Sequence, residues 1–157
     1  MAVTAAQIQQ VREIVRRESG LAVVTTLRAD GSMQASVVNA GVVDHPVSGD
    51  HVVGFAVRGP RRKLQNLRND GRATIVFRAA WDWVAVEGQA QITGPHDTIP
   101  GLDPRAVLRL LRTIYAAAVG GSADDWAHLD QQMIEEAHSA VLVRPMRVYS
   151  NPAEGSH

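Results

Sequence analysis

The apolar, β-branched run Leu21 to Leu27 leads into Ala29-Asp30-Gly31-Ser32 and then into a second run, Gln34 to Val43. Asp-Gly supplies the positive-φ positions of a tight hairpin, so the two runs must pair antiparallel. A second turn, His45-Pro46 to Gly49-Asp50, delivers the chain into a third run, His51 to Arg58. Parallel strands need crossovers of a dozen or more residues, so strands joined this closely exclude a doubly wound sheet.

Before this meander, Thr4 and Gln7 carry a capping-box signature. Ile8, Val11, Ile14 and Val15 then recur at helical spacing up to Ser19-Gly20. After it, Gly59-Pro60 breaks the third strand and opens a short helix, Arg61 to Asn69, with Pro60 near its first position and Asp70-Gly71 at its end. Arg72 to Arg78 and Trp83 to Thr93 read as two more strands, joined through Ala79 to Asp82. Asp103-Pro104 caps a helix whose apolar stripe is Val107, Leu108, Leu111, Ile114 and Tyr115. Ser122 with Asp125 opens another, turning Trp126, Leu129, Met133 and Ala137 inward. Ser139 to Val143 is the last strand, and the tail from Asn151 is expected to fray. The order (helix, three strands, short helix, two strands, two helices, strand) defines an α+β fold, an antiparallel sheet or barrel of about six strands with helices at its edges.

A chain of 157 residues builds one domain, with no room for separate cofactor and substrate domains. It has no cysteine, which removes disulfides, thiolate metal sites and a cysteine nucleophile, and fits a reducing cytoplasm. No apolar run approaches the ~20 residues that span a membrane. Met1 to Gln10 lacks the basic and apolar regions of a signal peptide, so a cytoplasmic location without a membrane partner is expected. Sixteen basic and sixteen acidic residues cancel, leaving no global field to attract nucleic acid. Any anion site must therefore be local. The six histidines show no metal spacing. Asp124 and His128, four apart, read as a first-turn acid and a surface residue. No G-x-S-x-G elbow is present.

The densest chemical signal is Arg58, Arg61, Arg62, Lys63 and Arg68, five cations within eleven residues and no acid before Asp70. They straddle a strand end, a Gly-Pro break and a helix start, where free amides and the positive end of the helix dipole favour an anion. Such clusters are more often a solvated face, and here the Gly-Pro break and the helix start raise a phosphate or carboxylate site to an even contender. Lys63 is the single lysine among sixteen basic residues, and Asn66 lies one turn further on, able to face the same ligand. No aromatic residue lies between the charges to stack a base. No general acid or base stands out, and the catalytic residue is unassigned.

The segment Val57-Arg-Gly-Pro-Arg-Arg-Lys-Leu-Gln-Asn-Leu-Arg-Asn-Asp-Gly-Arg72 resembles the "RxK, NLR, D-P-R" signature of the split β-barrel flavin and deazaflavin oxidoreductases, the pyridoxamine 5′-phosphate oxidase-like superfamily. Ala22 to Gly31 is similar to that family's "LATLxxDG" hairpin, and Trp83 to Ile92 to its "VxVEGxAxL" strand. Asp124-Asp125-Trp126 and Val141 to Tyr149 resemble the closing helix and "RVY" strand of the actinobacterial subgroup that binds coenzyme F420. Gly71 departs from the family's usual proline, and Arg58-Gly59 from its small or acidic residues. The resemblance spans about residues 8 to 150, leaving 151–157 as a tail of one domain, 1–157.

The resemblance implies an antiparallel split β-barrel that pairs as a homodimer with the cofactor at the interface. Arg61 and Lys63 would grip the cofactor phosphate, with Arg58 and Asn66 beside them. The strand Gln34 to Asn39 would run along the ring, offering backbone around Ser36, Val37 and Val38 and the side chain of Asn39. Trp81 would approach the ring. Glu87, before Gly88 within a strand, reads from its position as structural, with a carboxylate at a dimer seam as the alternative. The implied activity is F420-dependent hydride transfer with an unsaturated or quinone-like small molecule. FMN-dependent, pyridoxamine 5′-phosphate oxidase-like chemistry is the alternative, and a carrier of flavin, deazaflavin or haem without turnover is the rival from another class.

Overall fold

The computed structural model describes residues 2–120 and 126–151. Helix α1 (Ala5–Arg17) begins with the expected reciprocal cap: Gln7 N donates to Thr4 Oγ1 at 3.2 Å and Thr4 N donates to Gln7 Oε1 at 2.8 Å. Strands β1 (Leu21–Leu27), β2 (Met33–Asp44) and β3 (His51–Val57) form the meander. Helix α2 (Arg62–Asn69) follows, then β4 (Arg72–Ala79), β5 (Asp82–Thr93), α3 (Pro104–Val119), α4 (Trp126–Glu135) and β6 (Ser139–Ser150). All pairings are antiparallel, and the strands close in the order β1-β2-β3-β6-β5-β4. The α+β barrel of six strands is thus as the sequence predicts. The opening of the α4 helix at Ser122 and Asp125, and the first-turn acid Asp124, lie outside the described residues.

Closure gives the chain two cores. Inside the barrel, Val24, Phe55, Ile75, Phe77, Val84 and Val86 are packed with Val11 and Val15 of α1 and with Leu64 and Leu67 of α2. Outside it, Leu110, Leu111 and Ile114 of α3 and Met133 of α4 cover Val43, Val52 and Leu142. β3 lies between these cores, which is why its run is apolar without alternation. α3 approaches the sheet closely because Gly41 and Gly54 leave room: a Cβ on Gly41 would stand 2.6 Å from the Ala117 carbonyl carbon, and one on Gly54 2.9 Å from Ile114 Cγ1.

Five local expectations need correction. Helix α2 starts at Arg62 with Arg61 as its N-cap, so Pro60 lies before the cap and not in the first turn. The last strand runs on to Ser150. Only its first five residues are buried on both faces, and Pro145 falls beside the register shift at Glu87/Gly88, where a missing N–H is tolerated. Asn151 is held, not frayed: its Oδ1 accepts from Trp83 N at 3.2 Å and its Nδ2 donates to the Trp81 carbonyl at 2.9 Å. Ala137 lies beyond α4 with φ 51°, and Trp126 is only half-buried, edge-on to Tyr115.

Candidate functional site

Helix α2 closes one end of the barrel. Its apolar residues Leu64 and Leu67 point into the core, and this fixes which of its polar residues face out. Lys63 is half-buried, and burial first and the Arg61 guanidinium second pull its ammonium below the ordinary lysine pKa. Arg61 and Arg62 are exposed. None of the three has an ion-pair partner among the described residues. The N-cap Arg61 offers no side-chain hydrogen bond to the first turn, which contains no acid. A helix start with uncapped amides and three uncompensated cations suits an anion. A partly desolvated lysine beside an arginine gains more from that anion than a solvated one.

The cluster is smaller than the sequence suggests. Arg58 turns to Glu136, with Nη1 3.7 Å from Oε2, and is withdrawn from the corner. Arg68 chelates Asp97, its Nε and Nη2 donating at 2.9 and 2.5 Å, which holds the carboxyl pKa below the usual range. Asn66 needs a larger correction. It is 3% exposed, and its Nδ2 donates to Thr26 Oγ1 at 3.1 Å and to Gln34 Oε1 at 3.0 Å. With both amide hydrogens spent, it has none to donate to a ligand held by Lys63 and instead fixes Gln34.

Through Gln34 the corner adjoins strand β2. β3 pairs with β2 only from Ala40 to Asp44, so along Met33–Asn39 the edge away from β1 has no strand partner among the described residues. The backbone around Ser36, Val37 and Val38 therefore offers free donors and acceptors along an edge. Val38 is buried and Ser36 half-buried, whereas Val37 stands 66% exposed on the outer face. Leu21, Val23 and Met33 are exposed on the same strands, with Val37 directly opposite Val23. Asn39 is exposed, but its Nδ2 donates to the Ser19 carbonyl at 2.8 Å, leaving its Oδ1 as the acceptor available to a ligand.

Trp81 is not brought to Lys63. It sits with Ala80 in the two-residue β4–β5 turn, beside the Arg17–Asp82 pair, at the Leu21/Asn39 end of the sheet. Gln34 and Asn39 are five residues apart on one strand, so the two ends are separated by about 17 Å. The turn is well fastened. Ala80 has φ 53°, costly for a residue with a Cβ, and is held by Arg78 Nη1 donating to its carbonyl at 2.9 Å. The Trp81 ring above it is 90% exposed.

Sequence reasoning did not find the Glu87–Tyr149 pair on the outer face. Tyr149 Oη donates to Glu87 Oε2 at 2.6 Å, with Arg147 Nη1 3.6 Å from Oε1, and the carboxylate raises the phenol pKa. The register that sets Glu87 opposite Arg147 depends on a bulge at Gly88 and on which strand lies beside it, and the latter is not written locally.

A family model described as pyridoxamine 5′-phosphate oxidase matches residues 8–150. A conserved hypothetical protein of Mycobacterium tuberculosis superposes with a TM-score of 0.67 at 19% identity, over 96% of this chain and 85% of that one. A haem-binding protein of Mycobacterium smegmatis gives 0.62 at 19% identity over 99% of this chain, which spans only 57% of that one. An F420 reductase gives 0.52 at 18% identity, over 87% of this chain and 94% of that one. At these identities the likeness is one of fold.

Proposed function

This chain belongs to the pyridoxamine 5′-phosphate oxidase family, and from that premise we propose that it binds a phosphate-bearing flavin-type cofactor, coenzyme F420 before FMN, and uses it for hydride transfer. The observation that supports this most is the juxtaposition of an uncapped, uncompensated cationic helix start with the open edge of β2. Arg61 and Lys63 would hold the phosphate, and the backbone of Ser36 to Val38 the polar rim of the ring. When bound in its reduced form, a deazaflavin supplies a hydride, here to an unsaturated or quinone-like small molecule.

The chain's own residues then bind and orient. Asn66 keeps the Gln34 side chain against α2, so the phosphate corner and the ring edge hold a fixed relation. The apolar outer face formed by Leu21, Val23 and Val37 excludes water along the edge once covered. A second copy of the chain is the proposed cover, making the protein a homodimer with its sites at the seam and Trp81 at the far end. No titratable side chain lies between Gln34 and Asn39, so no proton donor is assigned. The same absence of an acid or base fits a carrier of flavin, deazaflavin or haem, which is the second reading.

The test is titration of the purified protein with F420 and, separately, FMN, followed by fluorescence. Tight F420 binding with weak FMN binding, then acceptor-dependent oxidation of reduced F420, is the expected result. Preference for FMN moves the chain to oxidase-like chemistry. Binding without any acceptor-dependent rate supports the carrier, and binding of neither rejects the cofactor assignment.

A further inference from the structure

A cleft of about 650 Å3 opens between the first turns of α3, the end of α4 and the segment joining β5 to α3. Its walls are mostly apolar: Leu102, Val107, Leu108, Leu111, Met133 and Ile134. Ile134 is 63% exposed although it stands on a helix whose polar face is available for solvent. The volume lies within the range of small-molecule pockets, roughly 300–1,000 Å3.

The polar groups around the cleft define what fits it. Asp97 is chelated by Arg68. Asp103 accepts from Ala106 N at 2.8 Å as the cap of α3. His138 places Nε2 3.1 Å from Glu136 Oε2, while its Nδ1 is buried without a partner. Burial of that ring holds its pKa below the ordinary histidine value, the Glu136 carboxylate only partly opposing, so the imidazole is uncharged near pH 7. An anion entering would meet the Asp97 and Asp103 carboxylates and find no free cation among the lining residues. A cation would find the Asp97 carboxylate taken by Arg68, and only the exposed Asp103 carboxylate at the rim, outside the apolar walls. Neither Arg61, Lys63 nor any residue of the β2 edge lines the cleft.

We propose that this cleft is a second ligand site, for an uncharged, largely apolar small molecule about the size of a fused-ring aromatic. It is separate from the phosphate corner and does not depend on the cofactor reading.

Nile red, uncharged and polarity-sensitive, is the probe, with anilinonaphthalene sulfonate as its anionic counterpart. The readout is the methyl spectrum of protein labelled at methionine. Met133 lines this cleft, whereas Met33 and Met146 line a separate pocket on the outer face of the barrel. Saturable Nile red binding should shift the Met133 methyl and leave Met33 and Met146 in place. The anionic dye should bind about tenfold or more weakly, since no cation compensates its desolvation. Val107→Trp, at a half-exposed position, should fill the cleft and abolish the shift, with unchanged Met33 and Met146 signals showing that the barrel is folded. Lys63→Ala should leave Nile red binding intact. No saturable binding, shifts confined to Met33 and Met146, or equal binding of the anionic dye would each overturn the proposal. Binding that broadens all methyl signals through self-association would overturn it too, in favour of a second copy on this face.

Discussion

Lys63 and Asn66 stand three positions apart on α2, and the structure gives them opposite tasks. Lys63 lies half-buried among cations, so its replacement by alanine should weaken F420 or FMN binding by on the order of 1.5–3 kcal/mol, the scale of a hydrogen bond to a charged group. Calorimetric titration of the variant measures this, and unchanged affinity would remove Lys63 from the site. Asn66 is buried and bonded to Thr26 and Gln34. Asn66→Ala should cost about 1–3 kcal/mol of folding stability by leaving Gln34 and Thr26 without a donor, and denaturant unfolding should show it. Spacing alone could not separate the two residues. Residue type marks a polar side chain without saying whether water or the barrel satisfies it, and here the inward pull of Leu64 and Leu67 decided. Arg58 and Arg68 were equally opaque, because Glu136 and Asp97, their partners, are distant in sequence.

At the scale of elements, strands and helix starts were legible wherever a local rule acted, as with the Asp30-Gly31 hairpin, the Thr4–Gln7 cap and the Asp103-Pro104 start of α3. Long-range fit was not. The second half of β6 is half-polar and contains Pro145, so only its partners make it a strand. Gly41 reads as a weak point in β2 until α3 is laid against it. Gly41→Ala should push the Ala117 backbone outward and destabilise the fold by about 1–3 kcal/mol, an overpacking cost readable as a lowered melting temperature. The junction of α4 with β6 carries a pH dependence. His138 is harder to protonate in the folded chain than in the unfolded one, so the unfolded chain binds more protons once pH falls below the ordinary value of about 6.5. Stability should therefore be complete above that pH and decline below it, down to the folded pKa. Urea unfolding on either side of that pH tests this, and a His138→Gln variant should lose the slope contributed by this residue.

For the whole molecule, the outer face of β1 and β2 ties the proposed chemistry to assembly. Val23 and Val37 lie opposite each other and are both exposed, at the centre of the face assigned to a second copy. Val37→Glu should shift sedimentation from dimer to monomer and weaken cofactor binding together. A dimer that persists with the glutamate in place would put the seam elsewhere. The order of strands around the barrel also governs how the protein can be made. β6 pairs with β3 on one side and β5 on the other, and it is the last of the described strands. On the ribosome, everything through α4 emerges while the barrel is still an open sheet with two unsatisfied edges, the arrangement most open to joining a neighbouring chain. Folding to the closed form must wait for the final strand, so premature termination before Ser139 should yield aggregate and not a smaller working domain.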